Sequence, residues 1–365
     1  MNQIQKISTV QLFLLMILQQ IGTTTLFAIG IDAKQDAWIV ILLSMVIGFL
    51  LMWLYTGIHQ QYPHQSLADI FHTVLGKWLA IPFILLYALY FFYTASFNLY
   101  ESSELLILFF LQDTPLNALL LTTVPLVIMS IILGVEVMGR SAQLIAPYYI
   151  FFLVSIVLLS VISGNADFRN LTPILENGVG PVLKAMPFVT FFPFGEAVVF
   201  LMYFHMLNDK EKVRKTAFFA IVFVGIMVTI STLIIIMVLG AEAAARQNVP
   251  LFRVIRKINI GDFIQRLDAL GGAVLFIGGF YKMTIFFNAT VAAVNSLFKI
   301  RRQYISLGLL SVAWVVFVKL FFKNYIFYKE VGTNINQYLL YPFHILIPGF
   351  LLLIILLKKR SQKPS

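Results

Sequence analysis

The 365-residue sequence contains no cysteine and few charged residues, which make up 12% of the chain. The lack of cysteine excludes disulfide bonds, thiolate metal sites and cysteine nucleophiles. Long polar stretches are also scarce, because 60% of the residues are hydrophobic and the mean hydropathy is +0.91. A soluble domain of this composition would expose large apolar patches. The sequence therefore predicts an integral membrane protein.

Motifs that would indicate catalysis are missing as well. The chain has no nucleophile elbow, no phosphate-binding loop, and no group of histidines and carboxylates inside its apolar runs. His59, His64 and His72 lie close together in the sequence, but their spacing does not match a helical pair of metal ligands. We therefore expect no enzyme activity, no metal site and no cofactor.

The chain does contain apolar runs of about 20 residues, the length at which a helix crosses a bilayer. They predict an all-α integral membrane protein with ten transmembrane helices, at residues 8–31, 37–57, 80–111, 116–133, 141–163, 187–207, 216–240, 270–297, 304–322 and 338–357. Ten spans divide into a 5+5 inverted repeat within one transmembrane domain. Repeat one covers 8–163, repeat two covers 187–357, and a basic tail covers 358–365.

Two connections have a distinct character. Residues 59–78 are amphipathic and are expected to form a helix along the inner membrane interface. Residues 164–186 are too polar and too rich in proline and glycine to cross the membrane, so we expect an outer loop there.

The net charge of +10 can indicate a nucleic-acid partner or a membrane topology signal. The basic residues form short clusters between apolar runs, which favours membrane topology and contact with anionic lipid, with no nucleic acid. Clusters follow the sixth, eighth and tenth spans and place both termini in the cytoplasm: Lys210, Lys212, Arg214 and Lys215, then Lys299, Arg301 and Arg302, then Lys358, Lys359, Arg360 and Lys363. The long loop 241–269 on the other side is also basic, so the excess of basic residues on the cytoplasmic side is less pronounced than the positive-inside rule expects.

Two of the spans are interrupted. The sixth contains Pro193 and Gly195 beside the carboxylate Glu196, and the first contains Gly22, Thr23, Thr24 and Thr25. Proline and glycine weaken a helix, and broken backbone at membrane depth persists only where protein or a watery cavity satisfies it. Interruptions at corresponding places in two halves of a chain point to a binding site near the middle of the membrane.

The two breaks together suit an amino acid zwitterion. Backbone amides that open a second half-helix over Leu26–Ile31 can receive a carboxylate, and freed carbonyls near Phe192 and Phe194 can accept an ammonium group. The alternative interpretation is a small-residue packing notch at Gly22 and an ordinary proline kink at Pro193.

Charged side chains inside the spans are costly unless they are paired or functional. Lys282 lies near the centre of the eighth span, and we predict that it pairs with Glu101, Glu104 or Glu196. Such a pair can be purely structural, or it can belong to a proton or ligand site.

One face of the third span is aromatic. Tyr93, Phe97, Tyr100 and Glu104 recur at spacings of four, three and four residues, which places them on one side of a helix. These three rings, together with Phe194, are candidate lining for a ligand pocket. The alternative is simple ring packing, with Glu104 near the outer water surface.

The chain resembles the B-subunit family of spore germinant receptors, which is related to the amino acid-polyamine-organocation transporters. The residues that carry the resemblance are the Gly22 break, Gln35-Asp36-Ala37-Trp38-Ile39, Tyr62-Pro63, Ser66-Leu67, Leu75-Gly76-Lys77, Gly134-Val135-Glu136-Val137-Met138-Gly139-Arg140, Pro193-Phe194-Gly195-Glu196, Arg266-Leu267-Asp268-Ala269-Leu270 and Lys282.

The resemblance implies a ten-helix amino acid transporter (LeuT-like) fold and a role as nutrient-sensing subunit in the spore inner membrane. It further implies a small nutrient, usually an amino acid, and two partners, a larger membrane A subunit and a lipoprotein C subunit. By position, Gly22–Thr25 and Phe192–Glu196 match the binding breaks of the family. A proton-coupled amino acid symporter is the alternative function.

Overall fold

The computed structural model describes residues 6–258, 268–300, 302–332 and 336–361. Arg301 and Lys363 of the basic clusters, and Arg266 and Leu267 of the family motif, lie outside these ranges. The α-helices are α1 Thr9–Ile21, α2 Ala37–Gln61, α3 Leu67–Phe109, α4 Leu116–Leu133, α5 Val135–Ile162, α6 Gly180–Val189, α7 Val213–Leu239, α8 Ala241–Arg246, α9 Pro250–Lys257, α10 Asp268–Phe298, α11 Gln303–Phe321, α12 Tyr325–Glu330, α13 Asn336–Leu339 and α14 Ile347–Ser361.

The predicted spans correspond to these helices. Within the described ranges, nine helical stretches are long and apolar enough to cross a membrane, and α1 is apolar but has only 13 residues. Nine stretches and α1 together match the ten predicted spans. The all-α multi-pass membrane architecture is therefore confirmed, whereas the boundaries of the two repeats remain a prediction.

The first span is shorter than the sequence predicts. After α1 ends at Ile21, a 3-10 turn covers Thr24–Leu26, Phe27 is extended, and Gly30 adopts a φ of +77°. The prediction of a second half-helix over Leu26–Ile31 is therefore wrong. A positive φ ends a run of right-handed helix, and glycine tolerates it because it has no Cβ atom.

The break in the sixth span is confirmed. Helix α6 ends at Val189, a π-helical turn follows over Thr190–Phe194 with non-helical Phe192 (φ −123°, ψ 104°), and a 3-10 stretch continues over Gly195–Met202. The span begins at Gly180 and not at residue 187, because Pro181 sits in its first turn, where a missing N–H costs nothing. The predicted outer loop 164–186 is therefore too long by its last seven residues.

The amphipathic segment is shorter than predicted. Helix α2 runs on to Gln61, and a new helix starts at Leu67, where Ser66 and Asp69 form a capping box. Gly76, with a φ of +78° and a ψ of 174°, separates this short helix from the membrane-spanning part of α3. That backbone conformation is accessible essentially only to glycine. Placement of the short helix along the interface remains a prediction.

Helix α10 positions the site described below. It packs along α3 and also contacts α1, α4, α5 and the 3-10 stretch Gly195–Met202 of the sixth span. It therefore lies against both interrupted spans. Its composition allows this close approach, because Gly278 and Gly279 remove side chains from the face turned to its neighbours.

The start of α1 and the end of the sixth span meet at one end of the molecule. The Ile7 N–H donates to the Met206 carbonyl at 3.0 Å, and the Asn208 N–H donates to the Ile7 carbonyl at 3.0 Å. These bonds form an isolated parallel bridge between Ile7 and Leu207.

Candidate functional site

The first break touches α10 through bare backbone. A Cβ atom added to Gly22 would lie 2.6 Å from the Gly278 carbonyl oxygen, closer than real Cβ atoms approach. The freed carbonyls of α1 are bound by the protein, because the Tyr149 hydroxyl lies 2.8 Å from the Gly22 oxygen and 3.2 Å from that of Ile21. In this structure Gly22 therefore acts as a packing notch, as the alternative interpretation held.

The three threonines after Gly22 are fully buried. The Thr24 hydroxyl donates to the Gln20 carbonyl at 2.6 Å, and the Thr25 hydroxyl donates to the Ile21 carbonyl at 3.3 Å. They replace main-chain donors that the helix lacks beyond its end. The Thr23 hydroxyl lies near the Glu101 carboxylate of α3.

The second break touches α10 one helical turn later, at Lys282. Its Nζ atom lies 2.8 Å from Glu196 Oε2 and 4.1 Å from the centre of the Phe192 ring. Gly278 and Lys282 are four residues apart, so they share a face of the helix. One face of α10 therefore contacts both breaks.

Two further side chains complete a polar cluster around this ion pair. Gln19 Nε2 of α1 lies 3.5 Å from the same Glu196 oxygen. Glu101 of α3 accepts a hydrogen bond from the Tyr328 hydroxyl at 2.6 Å, and the Lys282 charge acts on Glu101 as well as on Glu196. We call Glu101, Glu196 and Lys282 the charge cluster. All three side chains are buried, and their formal charges sum to minus one.

The two breaks and the adjoining part of α3 contain buried polar atoms that have no hydrogen-bond partner among the described residues: Gln19 Oε1, Gln20 Oε1, Ser102 Oγ and Thr190 Oγ1. Lys282 Nζ, which has three donors, has only Glu196 Oε2 as an acceptor among the described residues. Folded proteins satisfy nearly all buried polar groups with protein or ordered water. The arrangement can therefore accept a small polar ligand or water between the breaks.

The aromatic face of α3 packs against the C-terminal part of the chain and not against the breaks. The Tyr93 hydroxyl donates to Asn336 Oδ1 at 2.6 Å. The Phe97 and Tyr328 ring centres are 4.3 Å apart, and Tyr100 stacks on Phe322 at 4.8 Å. The structure therefore favours ring packing for these three residues. Glu104, on the same face, is half-buried.

Phe194 and Gly195 face other helices of the bundle. Phe194 is buried against Gly48 of α2, and Gly195 lies against the His344 imidazole, where an added Cβ atom would clash. The Tyr55 hydroxyl lies 3.3 Å from the Gly195 carbonyl oxygen and 2.8 Å from that of His344. These contacts join the sixth span to the π-helical turn Pro342–Leu346 of the tenth.

Sequence reasoning missed four residues of this region. Gln19, Gln20 and His344 are polar groups inside apolar runs, which is the signal that should have selected them. Tyr328 lies outside the predicted spans, so nothing in the sequence connects it to Glu101 more than 200 residues earlier.

Residues 6–326 match the family model of spore germination proteins. The chain is 35% identical to spore germination protein KB of Bacillus subtilis, across 99% of this chain and 97% of that protein. It is 25% identical to spore germination protein YndE of the same organism, across 90% of each chain.

The fold is similar to that of a solved manganese transporter mutant from Eremococcus coleocola. The TM-score is 0.65 at 16% sequence identity, across 98% of this chain and 88% of the transporter. This likeness confirms the LeuT-like transporter fold, with its first and sixth helices broken. The family-model match over residues 6–326 and the 35% identity to spore germination protein KB show that the chain belongs to the spore germination protein family.

Proposed function

We propose that the chain is the nutrient-sensing subunit of a spore germinant receptor, and that it binds a small nutrient, an amino acid, between the broken first and sixth spans. The observation that carries the proposal is the set of unpartnered buried polar atoms on both breaks, beside the charge cluster. Family membership supports the role in germination, and the transporter fold supports a site at this junction.

The packing of α10 suggests how binding is signalled. This helix contacts the first break at Gly278 and the second at Lys282, so a molecule between the breaks would alter both contacts. A ligand shifts a conformational equilibrium only by its difference in affinity for the two states, and about 1.4 kcal/mol changes their ratio tenfold. We infer that nutrient favours a conformation in which α10 and the breaks are further apart.

A sensor of this kind passes its signal to partner subunits. We propose a larger membrane A subunit and a lipoprotein C subunit as partners, in the spore inner membrane, with both termini of this chain in the cytoplasm. The proposal assigns no catalytic step to the chain and requires no cofactor.

The test is binding of each of the twenty common L-amino acids to the purified full chain, followed by uptake into proteoliposomes under an imposed proton gradient. We expect saturable binding of at least one amino acid without uptake. Failure of all twenty to bind, to the chain alone or to the assembled receptor, would refute the assignment of an amino acid site.

A proton-coupled amino acid symporter is the second candidate. The charge cluster favours it, because two carboxylates and one ammonium group leave a formal charge of minus one that a proton can balance. Uptake driven by the proton gradient in the same proteoliposomes would establish the symporter and make the sensing role secondary.

A further inference from the structure

The Lys282–Glu196 pair lies at the junction of the breaks but is not saturated with hydrogen bonds. Lys282 Nζ has Glu196 Oε2 at 2.8 Å and no second acceptor among the described residues, and Glu196 has one further weak donor, Gln19 Nε2, at 3.5 Å. Both side chains are buried, with side-chain exposures of 0% and 6%. Each group therefore has hydrogen-bonding capacity that the other does not use.

We propose that Lys282 and Glu196 are the two charge-recognition groups of the nutrient site, and that an α-amino acid binds by separating them. Its carboxylate replaces Glu196 at the Lys282 ammonium, and its own ammonium group replaces Lys282 at the Glu196 carboxylate. This inference rests on the proposed function and specifies the ligand class. The closed pair seen in the structure is then an internal substitute for the ligand.

Charge balance makes the exchange selective. A buried charge that loses its partner is strongly unfavourable. A simple carboxylate would pair with Lys282 and leave Glu196 alone. A simple amine would pair with Glu196 and leave Lys282 without an ion-pair partner, because Glu101 attracts Lys282 only at longer range in the described structure. A zwitterion supplies one charge of each sign, so neither protein group is left unpaired. A neutral sugar or nucleoside supplies no charge, so opening the pair for it would leave both Lys282 and Glu196 without a charged partner.

The surroundings provide the additional contacts that an ammonium group needs. Gln19 Oε1 and Gln20 Oε1 are acceptors without a partner among the described residues at the first break, and Thr190 Oγ1 is one at the start of the second. An ammonium group has three donors, of which Glu196 can take one or two. The Phe192 ring, 4.1 Å from Lys282 Nζ, can keep a cation–π contact with the lysine after the pair opens.

The first arm of the test uses the unaltered full chain in lipid nanodiscs. Each of the twenty common L-amino acids is measured by equilibrium binding, and for any that binds, its methyl ester and its des-amino carboxylic acid are measured too. For alanine these are alanine methyl ester and propionate. We expect both analogues to bind at least 100-fold more weakly. Loss of less than tenfold for either analogue would overturn the inference.

The second arm uses the double variant Lys282→Met with Glu196→Gln, which removes both charges of the ion pair, while Glu101 keeps its hydrogen bond from Tyr328. The matched control is Arg140→Met with Glu136→Gln, which removes an exposed ion pair of α5 with a 2.6 Å contact. We expect the control to bind normally and the double variant to lose at least tenfold in affinity. Normal amino acid binding by the double variant would overturn this inference while leaving the proposed function standing. Should the double variant not fold, the analogue series alone decides.

Discussion

The charge cluster differs from the other ion pairs of the protein in its isolation from solvent. The Arg140–Glu136 pair has side-chain exposures of 69% and 43%, so water can solvate either charge after the partner is lost. Lys282 and Glu196 have no such access. Loss of one partner is therefore expected to cost far more at the buried pair than at the exposed one.

Single removal of the lysine charge is expected to be more harmful than removal of both charges. Lys282→Met leaves Glu196 buried without its partner and should lower the free energy of unfolding by about 3–5 kcal/mol. The double variant with Glu196→Gln should recover most of that loss. Unfolding of the purified variants in mixed micelles measures both values. Equal loss in the single and double variants would show that the pair contributes by shape and not by charge.

Gly22 is expected to tolerate no side chain. Gly22→Ala places a methyl group 2.6 Å from the Gly278 carbonyl and should cost about 1–3 kcal/mol of stability through overpacking. Gly308→Ala on α11 is the control, since no atom lies within 4 Å of its added Cβ, and it should be neutral or stabilising by up to about 1 kcal/mol. Thermal unfolding compares the two. A stable Gly22→Ala chain would mean that α1 and α10 are not in contact at this point.

At the scale of elements, the sixth span is held by its neighbours at the place where its own hydrogen bonding fails. Tyr55 of α2 binds the Gly195 and His344 carbonyls, and the Tyr90 hydroxyl of α3 lies 2.8 Å from His344 Nε2. Irregular backbone within a membrane protein requires such partners. The break and the π-helical turn of the tenth span therefore stabilise each other.

The contact between Gly195 and His344 should show coupling in a double-mutant cycle. Gly195→Ala alone should destabilise the protein, because its methyl group would overlap the imidazole. In a His344→Ala background the same substitution should cost less, with a coupling energy of about 0.5–3 kcal/mol. Unfolding of the two single variants and the double variant gives that energy. Additive effects would indicate that the spans are not packed together here.

The sequence was informative about elements wherever local chemistry decides the structure. Apolar length located α2, α4, α7 and α10, and Pro193 with Gly195 located the break in the sixth span. It failed for residues after Ile21, because the conformation there depends on Tyr149, Gly278 and Ser231, which approach from distant parts of the chain.

The candidate site was predictable in part, because some of its residues stand out from their immediate neighbours in sequence. Glu196 and Lys282 are conspicuous as charges in apolar runs, so they were identified without a structure. The direction of the Tyr93, Phe97 and Tyr100 rings was not predictable, because helical spacing gives a shared face but not the neighbour of that face. Their neighbours are Phe321, Phe322, Tyr328 and Asn336, more than 200 residues away in sequence.

At the scale of the whole molecule, the distribution of positive charge determines the expected orientation. Two of the clusters predicted to be cytoplasmic meet the connection between α2 and α3, because Lys358 reaches the Val74 carbonyl and Lys210 reaches His64. Helix α9 has the exposed basic residues Arg253, Arg256 and Lys257 and belongs to the loop predicted on the opposite side.

Cysteine labelling can test this orientation, because the chain has no cysteine of its own. Lys359→Cys and Arg253→Cys place single thiols on exposed positions of the two sides. In intact protoplasts, a membrane-impermeant maleimide should label Arg253→Cys, and it should label Lys359→Cys only after permeabilisation. The reverse pattern would place both termini outside the cytoplasm.

The backbone bridge between Ile7 and Leu207 fastens the chain immediately before α1 to the chain immediately after the broken sixth span. Independent movement of α1 and the sixth span at that end would break these two main-chain hydrogen bonds. The two interrupted helices thus share a common pivot, and their free movement is confined to the far side of it. A ligand that separates α1 from the sixth span at the breaks would therefore rotate them relative to each other about the Ile7–Leu207 bridge.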